Sequence, residues 1–131
     1  MANVSAYARK QVLDWLLGGA AATQPTSRYL GLSYGSPTST SGSEVAATGA
    51  YTRIPITFTA AASPGGSASL AAAASFAAAT YASTLSGWQI WDTQGVGAGN
   101  MLWQGLLSAA TRPTSLSAFT FAAVSVRLSS L

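Results

Sequence analysis

Three carboxylates are all that this 131-residue chain offers to acid–base chemistry: Asp14, Glu44 and Asp92. It has no His and no Cys. General acid–base catalysis draws mostly on His and carboxylates, and glycoside hydrolysis needs two carboxyl groups flanking one bond. Asp14 falls in a helical stretch, Glu44 in a loop and Asp92 at a strand end, and no spacing brings them together. Ser hydroxyls are numerous, but there is no His to activate one. Zinc sites need clusters of Cys, His or acids. The expectation is a non-enzymatic protein with no catalytic residue, no cofactor and no metal site.

The next residues with chemical possibilities are Tyr51, Arg53 and the tryptophans. Tyr51-x-Arg53 sets two side chains on one strand face, because strand side chains repeat every two residues. Arg53 can stack on Tyr51 and reach a carboxylate across an interface, since Arg pairs with carboxylates through two parallel hydrogen bonds. The alternative is an ion pair within the chain, with Asp92 the candidate partner. Trp88 is expected in the core with Ile90. Trp91 and Trp103 face outward if Ile90 and Leu102 face inward. There they would serve a subunit interface, a small core under the helix, or stacking on sugars. Tyr51, Arg53, Trp91, Trp103 and Trp15 are therefore the interface candidates. Gly95-Val96-Gly97-Ala98-Gly99 lacks the spacing and the following helix of a dinucleotide fingerprint and reads as a flexible hairpin tip.

Composition points the same way. Charged residues make up 7% of the chain, where the surface of a soluble monomer commonly carries about 25–35%. Ser and Thr hydroxyls must wet this surface, or much of it must face other subunits. The net charge is +3, but among Arg9, Lys10, Arg28, Arg53, Arg112 and Arg127 only the first two are adjacent. Nucleic-acid binding calls for a clustered basic face, so none is expected. Without Cys there is no disulfide framework. The start faintly resembles a signal peptide, but Asp14 interrupts its apolar stretch and the basic pair comes late. Ile54 to Trp91 carries no charge, yet Pro55, Pro64, Gly65 and Gly66 break it, so no membrane segment is expected.

These residues need elements to hold them. Residues 4–17 read as an amphipathic helix, with Val4, Ala8, Val12 and Trp15 at helical spacing and Leu13, Leu16 and Leu17 widening the stripe. Asn3 or Ser5 caps its start and Gly18-Gly19 ends it. Residues 27–34 alternate, with Leu30, Leu32 and Tyr34 on one face. Residues 50–59 form a second strand, placed at an edge or bulged because Pro55 cannot donate a ladder hydrogen bond. Residues 67–83 are rich in Ala, yet Leu70 and Phe76 among hydroxyls fit extended structure. Residues 87–92 and 101–107 form a hairpin, and 116–121 and 123–130 the closing strands. The pattern predicts a single-domain antiparallel β-sandwich, jelly-roll-like, with one N-terminal amphipathic helix and strands from about residue 27 to 130.

The order of these signals carries a resemblance. Tyr29-Leu30-Gly31-Leu32 is followed by Gly42-Ser43-Glu44-Val45, Gly49-Ala50-Tyr51-Thr52-Arg53 and Ile54-Pro55-Ile56-Thr57-Phe58. Then come Gly87-Trp88-Gln89-Ile90-Trp91-Asp92, Gly99-Asn100-Met101-Leu102, Gly105-x-Leu107, Phe119-Thr120-Phe121 and Val124-Ser125-Val126-Arg127-Leu128. Over roughly residues 4–130 the set resembles a family of small tailed-bacteriophage and prophage proteins, labelled tail-fibre, minor structural or capsid decoration proteins. Leu116-Ser117, Ile54 and Ala98 depart from its usual pattern. The resemblance implies a virion structural protein, assembled in the host cytoplasm. One compact domain without a shaft repeat favours a decoration (cement) protein that bridges capsid subunits. A tail-fibre or receptor-binding subunit is the alternative, and only there is carbohydrate a partner. The expected partners are a second or third copy of the chain and the major capsid protein or other virion proteins.

Overall fold

The computed structural model describes residues 3–38, 43–46, 51–60, 67–77, 81, 83–111, 119–121 and 125–127. The chain begins with strand β1 (Asn3–Val4) and helix α1 (Ala6–Leu17). Strands β2 (Tyr29–Ser33), β3 (Ile54–Pro55), β4 (Ser67–Ser69), β5 (Ala74–Phe76) and β6 (Leu85–Trp91) follow. The last are β7 (Met101–Thr111), β8 (Phe119–Phe121) and β9 (Ser125–Arg127). The protein is thus mainly β with one N-terminal helix. The described strands form one five-stranded sheet in the order β1-β7-β6-β2-β3, plus the separate pairs β4-β9 and β5-β8. Every ladder is antiparallel.

The helix starts two residues later than the periodicity predicts. Ser5 is extended, and its hydroxyl accepts a hydrogen bond from the Ala8 N–H, satisfying a donor that the first turn leaves unpaired. The same hydroxyl donates to the Met101 carbonyl, and the Ser5 N–H donates to the Leu102 carbonyl. One residue therefore caps α1 and fastens it to β7. Val4 belongs to β1, where it is buried opposite Trp103. At the far end Gly18 adopts φ +69° and donates to the Asp14 carbonyl, a left-handed stop that glycine takes at least cost.

The central strands read as expected. Leu30 and Leu32 on β2 lie opposite Ile90 and Trp88 on β6, and all four are buried. Pro55 sits at the sheet edge in a two-residue strand, where its missing N–H costs no ladder bond. Residues 67–77 form the strands β4 and β5, joined through a bend, and no helix, despite the high helix propensity of Ala. Leu70 and Phe76 are buried in the core formed with Leu30, Leu32, Trp88 and Ile90, and that burial outweighs local propensity. Phe119–Phe121 and Ser125–Arg127 are strands, as expected. The remainder of the predicted closing strands and the Ser63–Gly66 turn lie outside the described residues.

One expectation fails for a specific reason. Strict alternation from Leu102 turns Trp103 away from the core. The β6–β7 ladder, however, pairs Ile90 with Trp103 and Trp91 with Met101, leaving Leu102 unpaired in a bulge. A bulge adds one residue to one strand and resets its alternation. Leu102 is therefore buried, and Trp103, half-buried, also packs on the core.

Trp88 lies across Gly105, its cross-strand partner, and its indole N–H donates to the Leu106 carbonyl. A Cβ on Gly105 would stand 2.4 Å from the Trp88 ring. Gly105→Ala is therefore expected to displace a buried indole and destabilise the fold by roughly 1–3 kcal/mol, the usual cost of overpacking. Urea denaturation followed by tryptophan fluorescence measures this; an unchanged midpoint would refute the packing account.

Candidate functional site

Among the described residues, a dense polar cluster on the sheet face that Gly31 and Trp91 share, opposite Leu30 and Ile90, is built around Arg53. This side chain is fully buried. Its Nε donates to Glu44 Oε1 at 2.6 Å and its Nη2 to Glu44 Oε2 at 2.7 Å, a two-pronged pairing. Its Nη1 donates to the carbonyls of Thr93 at 2.7 Å and Ala98 at 2.9 Å. The guanidinium carbon lies 4.0 Å from the centre of the Trp91 ring, within the range of a cation–π contact. Trp91 is held in turn by its indole N–H, which donates to Gln89 Oε1.

The absence of a side chain at position 31 makes room for this cluster. A Cβ on Gly31 would lie 2.8 Å from Glu44 Oε1, 3.3 Å from the Tyr51 hydroxyl and 3.4 Å from Trp91 Nε1. Tyr51 completes the wall. Its hydroxyl accepts from the Leu32 N–H at 2.9 Å, and its ring stacks on Phe76 and meets Tyr81 edge-on. Burial raises the Tyr51 phenol well above its ordinary pKa of 10.0; the Glu44 charge adds to the effect, while the Leu32 hydrogen bond and Arg53 oppose it.

The hairpin loop between β6 and β7 is pinned rather than loose. Arg53 holds two of its carbonyls from inside. Asp92 accepts from the Asn100 backbone N–H at 2.7 Å and from the Asn100 side-chain amide at 2.8 Å, closing its neck. Gly97 and Gly99 take φ +80° and +79°, and a Cβ on Gly99 would lie 2.5 Å from Asp92 Oδ1.

Tyr51 and Arg53, two of the interface candidates, are buried within the chain itself. The ion pair is made within the chain, with Glu44 rather than Asp92, and the ring under the guanidinium is Trp91 rather than Tyr51. Trp91 and Trp103 are each half-buried on opposite faces of the sheet. Trp15 is exposed, and so are Leu13, Leu16 and Leu17 around it. Of the predicted stripe on α1, only Ala8 is fully buried. Sequence reasoning missed both Glu44 as the partner of Arg53 and the exposed end of α1. The signal for the second was present, since Leu13, Trp15, Leu16 and Leu17 within five positions exceed what one helix face can bury.

The three acids stay apart. Glu44 is bound by Arg53, Asp14 by Lys10 one turn away, and Asp92 by Asn100. Among the described residues, no three acids, His or Cys gather where a metal ion could bind. No described helix is long and apolar enough to cross a membrane.

A family model described as podophage GP4 fiber I protein gp80 matches residues 3–129. No curated protein matches the chain.

Two measurements check the cluster. Glu44→Ala leaves a buried guanidinium without its counter-charge, and truncating one member of such a pair costs about 3–5 kcal/mol. A double variant, Glu44→Leu with Arg53→Met, is expected to cost less than the single change. Urea titrations of both proteins decide it; equal stabilities of Glu44→Ala and the parent would refute the clamp. The second concerns alkaline pH. A phenol whose pKa is raised on folding contributes stability that is complete below its unfolded value, near 10.0, and is lost as pH rises through its higher folded value. Stability is expected to fall above about pH 10, and less steeply in Tyr51→Phe. Identical pH profiles would show that Tyr51 does not titrate in this way.

Proposed function

The chain belongs to the podophage GP4 fiber I protein gp80 family, and on that premise we propose that it is a non-catalytic structural subunit of a phage particle, placed in a fibre of the tail. The observation that carries this reading is the family match, which spans residues 3–129. The disposition of the polar side chains supports it. Each of the three carboxylates is engaged by a neighbour, so no two are free to act as an acid and a base on one substrate. The buried Arg53–Glu44 ion pair and the pinned 92–100 loop stabilise a shape. An exposed apolar helix end suits a chain that completes its burial by assembly.

A capsid decoration role is the competing assignment, and location in the particle separates the two. Immunogold labelling and quantitative mass spectrometry of purified particles are expected to place the chain at the tail, at low copy number. Particles lacking it should keep intact heads and lose adsorption to the host. Copies distributed over the shell at lattice stoichiometry, with heads that rupture more readily in their absence, would assign the chain to the capsid instead. For the non-catalytic part, the purified protein is expected to show no glycan or peptide hydrolysis. An activity lost in a folded Asp92→Asn variant would overturn it.

A further inference from the structure

The end of α1 is apolar on both of its sides. At about 100° per residue, Leu13, Leu16 and Leu17 share one side, while Trp15 lies about 160° around the axis from Leu17. Trp15 falls two turns beyond the buried Ala8 on the same side of the helix, past the point where the sheet covers that side. The exposures are 42% for Leu13, 72% for Trp15, 57% for Leu16 and 78% for Leu17. Asp14 is the one polar residue in this stretch, and its carboxylate is engaged by Lys10. Apolar side chains gathered in this way at the surface mark a site that a partner covers.

Charge and area identify what surrounds it. Arg9 lies one turn before Leu13 on the same side, and its side chain makes no hydrogen bond or ion pair among the described residues. A carboxylate facing Arg9 would complete the surface. On a second copy Asp14, Glu44 and Asp92 are each held by a neighbour, so pairing with Arg9 would displace an existing contact. Two copies, each with net charge +3, also repel. The four exposed side chains amount to an area on the order of 400–500 Å², since one large aromatic accounts for roughly 150–250 Å². That is short of the about 800 Å² per partner of a standard interface between two proteins. It suits the mode in which a short helix enters a groove. Paired side by side with its own copy, the helix would bury either the Leu17 side or the Trp15 side, but not both.

We propose that the end of α1 inserts into an apolar groove rimmed by carboxylates on a different chain of the particle. This rests on the reading of the protein as a virion subunit. The groove encloses Leu13, Trp15, Leu16 and Leu17, and a rim carboxylate pairs with Arg9. A membrane surface is the poorer complement, because a helix lying in a bilayer interface has a polar side rich in Lys and Arg, whereas Lys10 on that side of α1 is paired with Asp14.

The test is add-back of purified chain to phage particles assembled without it, at low and at high salt, with bound chain measured after sedimentation. The parent chain is expected to bind. Trp15→Gln/Leu17→Gln should bind at least tenfold more weakly, with an unchanged circular-dichroism spectrum because both residues are exposed. Arg9→Glu should bind about tenfold more weakly at low salt, a difference that shrinks at high salt as charges are screened. Failure of the parent chain to bind would overturn the virion-subunit reading and this inference with it. Normal binding by Trp15→Gln/Leu17→Gln alongside the parent would overturn the inference alone, and so would normal binding by Arg9→Glu. Two further results would also overturn it. One is an oligomer of the isolated chain that Trp15→Gln/Leu17→Gln converts to a monomer, which makes a second copy the occupant. The other is binding to vesicles of phosphatidylglycerol and phosphatidylcholine that the same variant loses.

Discussion

A guanidinium with no access to water is the constraint around which this protein is arranged. Burying a charge is unfavourable unless it is paired and hydrogen-bonded. Arg53 meets that requirement with groups drawn from distant parts of the chain: the carboxylate of Glu44, the carbonyls of Thr93 and Ala98, and the face of Trp91. All of them must reach one point for the charge to be tolerated. The 43–46 segment, the 51–53 segment, the end of β6 and the 92–100 loop are therefore fixed relative to one another. Gly31 is the space they converge on, and Tyr51 seals it from the side of the core.

That arrangement also shapes what the molecule can offer outside. A chain with three acids has little capacity for both internal pairing and chemistry. Here Glu44 is committed to Arg53, Asp92 to the neck of the hairpin loop and Asp14 to Lys10. The surface retains a positive balance, few charges in all, and an apolar helix end that the sheet does not cover. These properties suit the proposed role of a building block in an assembly. They agree with membership of a phage fibre family.

Much of the fold was legible because it rests on local rules. Leu30 and Leu32 alternate and are buried opposite Ile90 and Trp88. Ser5 and Gly18 bound the helix through capping and left-handed geometry that few other residues provide. Pro55 is confined to an edge by its missing donor. Residues 67–77 were legible only by setting Leu70 and Phe76 against the helix propensity of their alanines. The site was less legible. Tyr51 and Arg53 share one side of their segment, as their spacing implies, yet that side faces inward. Trp103 was misplaced because one unpaired residue, Leu102, shifts the alternation of β7, and nothing in the composition of the strand marks the bulge.

By itself, the sequence determined the mainly β class, the N-terminal helix and its glycine stop, the central hydrophobic strands and the scarcity of residues for acid–base chemistry. Those follow from the preferences of single residues and from periodicity over a few positions, which operate at short range. Only the tertiary structure decided which carboxylate meets Arg53, which aromatic ring lies under it, and on which side of the sheet Trp91 and Trp103 fall. It also decided that α1 extends beyond its support. Each of these depends on which distant segments arrive at the same place. Glu44 and Asp92 are equivalent carboxylates on paper, and register and bulges bring the first to Arg53 and turn the second to Asn100.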